Sequence, residues 1–269
     1  MYSAAESTAQ KATMLENNHA GAWLVLGTAL FHLDREAEAI QRLDKAFQLD
    51  KANPHIPYML GRCYYFGMND RPQAGEYFKR TLVLDPNYTP AAFMLACCYF
   101  DVGMPGQAAT YYDAVIKAEP QNNEARFRRA LCSLREKHFE EAEDMLLEVV
   151  KNADSDFRAH LALADIYSTY RVDKGYAKLH YERYLATAPQ EDPDRARAAA
   201  ALEALTTPAT PAATTSAPAT LPAKTPAAAS GASAARPAPA SPAPAATPTP
   251  KPATAPKAPQ ALPKASTAP

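Results

Sequence analysis

Four cysteines and six histidines are the residues of this 269-residue chain whose chemistry would extend to metal binding, thiol catalysis or cross-linking. Cys63, Cys98 and Cys132 recur at intervals of 35 and 34 residues, with Cys97 beside the second of them. No cysteine pair has the close spacing that a tetrahedral zinc site draws on. His19, His32, His55, His138, His160 and His180 show neither a two-ligand helical spacing nor a neighbouring carboxylate pair. Glu140, Glu141, Glu143 and Asp144 form a carboxylate cluster that reads as the solvated face of an outer helix. The sequence has no glycine-rich phosphate loop and no serine in a nucleophile turn. An enzyme is therefore not expected, and neither is a cofactor or a metal.

The interval between the cysteines is itself the stronger signal, because other residues keep it. Ala39, Ala74, Ala108, Ala142 and Ala177 stand 35, 34, 34 and 35 residues apart. A second column holds Leu26-Gly27, Leu60-Gly61, Leu95-Ala96, Arg129-Ala130 and Leu163-Ala164, and a third holds Leu43, Phe78, Tyr112, Leu146 and Tyr181. Apolar residues at three- and four-residue spacings on either side of a short polar break make each unit two helices. The small residues let the first helix approach the second, and the bulky third column fills the space between them. Pro86, Pro120 and Pro189 close their units. The two longer intervals put an extra residue near Asp70 and Asp173, where a loop absorbs it. In this register Cys63, Cys98 and Cys132 share a column with Ala29 and Ile166, which makes them small residues of the buried seam, with Cys97 facing elsewhere.

The pattern resembles the tetratricopeptide repeat. The match is carried by Trp23-Leu26-Gly27, by Leu60-Gly61-Tyr64 with Ala74, Phe78 and Pro86, and by Leu95-Ala96-Tyr99 with Ala108, Tyr112 and Pro120. The resemblance implies an all-α fold, a right-handed α-solenoid of about five helix-turn-helix repeats whose first helices line a concave face. Residues 20–189 carry the five repeats. Residues 1–19 read as the second helix of a further repeat, a start that suits truncation, and 190–205 as a C-terminal capping helix with Pro193 in its first turn. Arg129 and Ser133 depart from the repeat, as do Lys51 and Asp154 at closing-proline positions, which makes the fourth unit the expected soft spot.

The same resemblance directs function to the concave face, where the family binds protein segments. The groove columns point to Tyr58, Met59, Arg62, Phe93, Met94, Phe127, Arg128 and Arg158 as the partner-binding residues, with Leu24, Thr28, Cys97, Leu131 and Asp165 in the same columns. The aromatic rings and methionines make an adaptable apolar floor, and the arginines a rim suited to acidic flanks. Leu24, Thr28, Met59, Pro90 and Met94 stand where a clamp for a chaperone's C-terminal carboxylate would need lysines and asparagines. The expected molecule is thus a scaffold or adaptor for a protein or peptide.

Sixteen of the 25 prolines follow Leu205, and residues 206–269 contain no acidic or aromatic residue. Such a segment has too little to bury to offset its ordering entropy, so a disordered Pro/Ala/Thr/Lys-rich tail is expected, either a spacer or an anionic-surface contact. Lys224, Arg236, Lys251, Lys257 and Lys264 are its charges, and against the net charge of −1 they leave the remainder acidic. Cations this sparse do not suggest nucleic acid. No long apolar run suggests a membrane span or a secretory signal, which makes a cytoplasmic location the expectation, with a cell-envelope component as the alternative if the start is truncated.

Overall fold

A computed structural model of the protein describes residues 1–207, and from residue 208 onward the expected tail lies outside the described residues. The described residues hold twelve α-helices and one π-helical turn. A lone helix α1 (Tyr2–Leu15) precedes five antiparallel pairs. These are α2 (Ala20–Phe31) with α3 (Glu36–Leu49), α4 (His55–Arg62) with α5 (Arg71–Leu84), α6 (Thr89–Asp101) with α7 (Pro105–Ala118), α8 (Asn123–Arg135) with α9 (Phe139–Asn152), and α10 (Phe157–Thr169) with α11 (Lys174–Thr187). Helix α12 (Arg195–Thr206) follows the fifth pair. Each helix packs on the next in the chain, so the units stack as an α-solenoid.

The three columns are the core. All five alanines of the first column, and the bulky residues one turn past them, are buried. The reason for the small column is steric: a Cβ on Gly27 would lie 2.6 Å from Leu43 Cγ, and one on Gly61 2.6 Å from Phe78 Cε1. Helix starts follow from side-chain caps. Asp70, Asn122, Asp156 and Asp173 each accept a backbone N–H of the first turn that follows them. Each turn between paired helices contains one residue in the left-handed region: Asp34, Asn69, Gly103, Lys137 and Val172. Val172, β-branched at φ 53°, is the costly one.

The extra residues fall at the expected places but are absorbed by widened helix ends rather than by a plain loop. After α4 the chain continues as the π-helical turn Cys63–Gly67, closed by Met68 N–H to Cys63 O at 3.1 Å and Asp70 N–H to Tyr64 O at 2.9 Å. At the second site Arg171 N–H reaches Ile166 O at 3.1 Å and Asp173 N–H reaches Tyr167 O at 2.8 Å. Helix α12 begins at Arg195, two residues beyond Pro193 rather than around it. Asp192 there is engaged by the Tyr184 hydroxyl and the Asp194 N–H.

In the fourth unit, the expected soft spot, the residues that depart from the repeat are bonded to one another. Arg129 donates to Ser133 Oγ at 2.6 Å, to Glu141 at 2.7 Å and to Asp113 at 2.9 Å, and Ser133 in turn donates to Glu141 at 2.8 Å. The two departures from the repeat therefore satisfy one another and take in a member of the acidic cluster. The cluster is accordingly not a merely solvated face. Glu143 accepts from Tyr167 and Arg171, and Glu140 from Tyr170, so three of its carboxylates tie α9 to the helices beside it. No buried side-chain nitrogen or oxygen among the described residues lacks a hydrogen-bond partner.

Candidate functional site

The face of the first helices is built from positions that recur in α2, α4, α6, α8 and α10. One row runs Leu24, Tyr58, Phe93, Phe127 and Leu161, and a second, one turn on, runs Thr28, Arg62, Cys97, Leu131 and Asp165. Helical periodicity puts both rows on one side of their helices, and stacking brings successive members beside each other.

Burial divides the expected groove residues into two groups. Met59 is 1% exposed, Phe127 6% and Met94 9%, so Met59 is core, and Phe127 and Met94 show only an edge to this face. Met59 in particular lies in the cluster with Leu60, Ile56 and Cys63 and offers no surface to a partner. Tyr58, Arg62, Phe93, Arg128 and Arg158 are half-buried. Tyr58 leans on Tyr88 with ring centroids 5.1 Å apart, and Phe93 meets Tyr112 edge-on at 5.7 Å. The rings are thus partly engaged within their own solenoid.

The arginines are not a separate rim. Each lies over a ring of the preceding unit: Arg62 over Phe31 at 4.7 Å, Arg128 over Phe93 at 5.7 Å and Arg158 over Phe127 at 4.6 Å. Glu124, which the sequence reading missed, bridges the last two by accepting from Arg128 at 2.6 Å and Arg158 at 2.8 Å. Asp156 holds Arg158 from the other side at 3.0 Å. Burial lowers the guanidinium pKa of Arg128 while Cys97 and then Glu124 raise it, and it ends above the usual value.

Two concavities flank this charged bridge. One of about 300 Å³ is lined by Tyr58, Pro90, Phe93, Met94 and Glu124. The other, of about 380 Å³, is lined by Phe127, Leu131, Phe157, Leu161 and Asp165. Leu161 was legible in principle, since it occupies the column of Tyr58, Phe93 and Phe127 one unit later.

The cysteines offer little chemistry. All four are buried free thiols, Cys97 included, whose Sγ accepts from the Tyr112 hydroxyl at 3.3 Å. Burial pushes Cys63 and Cys98 up to about 12 and Cys132 up to about 11, so thiolate is scarce at neutral pH. No group of three or more His, Cys, Asp or Glu among the described residues is arranged to hold a metal ion. Two histidines do meet where sequence spacing showed no relation. His160 Nδ1 and His180 Nδ1 are 3.0 Å apart in the buried seam between α10 and α11. His160 Nε2 lies 2.9 Å from the Asp154 carbonyl oxygen and donates to it, so His160 Nδ1 accepts and His180 Nδ1–H donates. Burial first, then His160 and Arg183, lower the His180 pKa to about 4. No helix among the described residues is long and apolar enough to cross a membrane.

Comparison with known proteins bears on the fold. Models of the tetratricopeptide repeat match residues 20–53, 58–88 and 93–157. A search of curated protein sequences finds no match. Among solved structures, YrrB, described as a tetratricopeptide repeat protein with an unusual peptide-binding site, is 19% identical with a TM-score of 0.61, covering 68% of this chain and 93% of its own. The type IV pilus biogenesis factor PilW is 18% identical with a TM-score of 0.61, over 77% of this chain and 91% of its own. MamA is 20% identical with a TM-score of 0.54, over 57% of this chain and 89% of its own. At these identities the likeness is one of fold. The repeat columns, the stacked helix pairs and the three matching models together place the chain in the tetratricopeptide repeat family.

Proposed function

We propose that the protein is a non-catalytic adaptor that holds a helix or extended segment of a partner protein along the face of its first helices. The observation that carries this reading is the pair of cavities on either side of the Arg128–Glu124–Arg158 bridge, each combining apolar walls with a fixed charge. Apolar pockets bounded by a few oriented polar groups are the usual anatomy of a recognition site. YrrB, which shares the fold, is described as having a peptide-binding site, and the same use of the fold is proposed for this chain. A cytoplasmic setting suits the four free thiols, which a reducing compartment preserves.

Substitution separates the two kinds of contact. Phe93→Ala is expected to weaken partner binding by about 2 kcal/mol, as loss of an aromatic anchor does, and Arg62→Ala by about 1 kcal/mol or less with a changed salt dependence. Affinities from titration calorimetry, with circular dichroism as the check on folding, measure this. Undiminished affinity in folded Phe93→Ala, together with loss of binding on neutralising Arg62, Arg128 and Arg158, replaces the apolar groove with an electrostatic clamp.

A further inference from the structure

We propose that Asp165 is the docking carboxylate for a lysine or arginine of the bound segment, beside the cavity of the fourth and fifth units that takes a neighbouring bulky apolar side chain. The inference rests on the reading of this face as the binding surface and names the chemistry of its occupant.

Asp165 is fixed from below. The hydroxyl of Tyr181, a buried residue of the repeat's bulky column, donates to Asp165 Oδ1 at 2.8 Å, so the carboxylate is oriented before any ligand arrives. From the solvent side it is held by Arg197 Nη1 of α12, at 2.9 Å from Oδ1 and 3.1 Å from Oδ2. That arginine is 49% exposed and also bonds to Asp194 at 3.0 Å. An ion pair so open to water holds weakly, and an incoming cation can take its place at small cost.

The local balance of charge favours a basic occupant. Arg128 and Arg158 are already engaged by Glu124 and Asp156. Arg197 is then left to balance both Asp165 and Asp194. Asp192, which also lines this cavity, bonds to Tyr184 and to the Asp194 N–H, and to no cation among the described residues. Earlier members of the Asp165 row are Thr28, Arg62, Cys97 and Leu131, so the acid stands at one end only. A bound segment therefore has a direction, with its basic residue over the fifth unit. Leu131, Phe157 and Leu161 wall the adjoining cavity of about 380 Å³, and a lysine or arginine alone would leave that apolar surface wet.

Selection of a random dodecapeptide library on the full chain tests this. Selected peptides are expected to carry Lys or Arg next to a bulky apolar residue. They should bind Asp165→Asn about tenfold more weakly with a flatter salt dependence, because the isosteric amide keeps the Tyr181 bond and loses the charge. Arg197→Ala, which removes the competing cation, should strengthen binding. Leu161→Arg, or Leu131→Gln if the former loses helicity, should abolish it. Peptides that are lost on filling the cavity yet bind Asp165→Asn undiminished, or that are acidic, overturn the assignment of Asp165 and leave the groove reading standing. Selected peptides indifferent to the cavity substitutions overturn both.

Discussion

In the second and third units Tyr64 stacks on Tyr77 and Tyr99 on Tyr111, at 5.3 and 5.7 Å, and these rings fill a column that in the fourth unit holds Ser133. There the pair of helices is joined by Arg129, Ser133, Glu141 and Asp113 instead. The fifth unit returns a ring to that column, with Tyr167 stacked on His180 at 5.6 Å, and adds polar contacts of its own, His160 on His180, Tyr167 on Glu143 and Tyr181 on Asp165. A helix pair can thus be sealed by ring packing or by a closed hydrogen-bond network, and the fourth unit uses the second where its neighbours on both sides keep the first. The lesson is that a repeat column can lose its usual residue when its partners change in concert. The two devices fail differently, since packing suffers from an added methyl and a polar network from a single missing member.

The largest effect is expected from opening the network. Arg129→Ala leaves Glu141 and Asp113 without their cation, with only the Ser133–Glu141 bond remaining, and should cost about 2–3 kcal/mol, less than a fully buried pair because Glu141 and Asp113 reach solvent. Restoring the ring type, as Arg129→Leu with Ser133→Tyr, should recover most of that loss. Urea unfolding of the three proteins measures both, and a double variant no better than Arg129→Ala would mean that the fourth unit cannot use the packing device.

Next in size is the complementary insult to a packed unit. Gly61→Ala drives a methyl against Phe78 and should cost about 1–2 kcal/mol by overpacking. The third, fourth and fifth units have Ala96, Ala130 and Ala164 at the equivalent position already, so the close approach of Phe78 is particular to the second. A Gly61→Ala protein with an unchanged unfolding midpoint would show that the second unit has slack the first comparison denies it.

Smaller, and confined to the fifth unit, is a pH effect. His180 has a folded pKa of about 4 against about 6.5 in an unfolded chain, so the folded state binds fewer protons between these values. The stability it contributes is complete above pH 6.5 and is lost progressively as pH falls towards 4. Facing it are His160 and Arg183, which oppose its protonation, Asp154, which favours it, and the stacked ring of Tyr167. Amide exchange followed from pH 7 to 5, above the ordinary carboxylate range, should show α10 and α11 loosening while α4 to α7 stay protected. A His180→Gln protein should lose that dependence, and equal loosening in all units would place the titration elsewhere.

The helix pairs, their seam and the buried status of Cys63, Cys98 and Cys132 were legible in the sequence, because a strict period fixes which positions meet within a unit. The same register places His160 and His180 where Trp23 and Arg42 meet in the first unit, at 5.8 Å, so their contact was recoverable once the columns were compared. Contacts between units were not legible. Arg158 reaches Glu124 and Arg197 reaches Asp165 through long side chains whose direction no column fixes. Met59 was misplaced on the groove because, one residue past the row of Tyr58, it faces the core once α4 packs on α3 and α5.

The most direct test of the binding surface is photocrosslinking from defined positions. A benzophenone amino acid at position 169, where Thr169 is exposed at the edge of the cavity one turn past Asp165, and one at position 83, where Val83 is exposed on a second helix, are compared with the same selected peptide. Adducts are expected from 169 and none from 83, with the lysine- or arginine-bearing end of the peptide mapping near Asp165. Adducts from 83 with none from 169 would contradict this and move the site to the outer face.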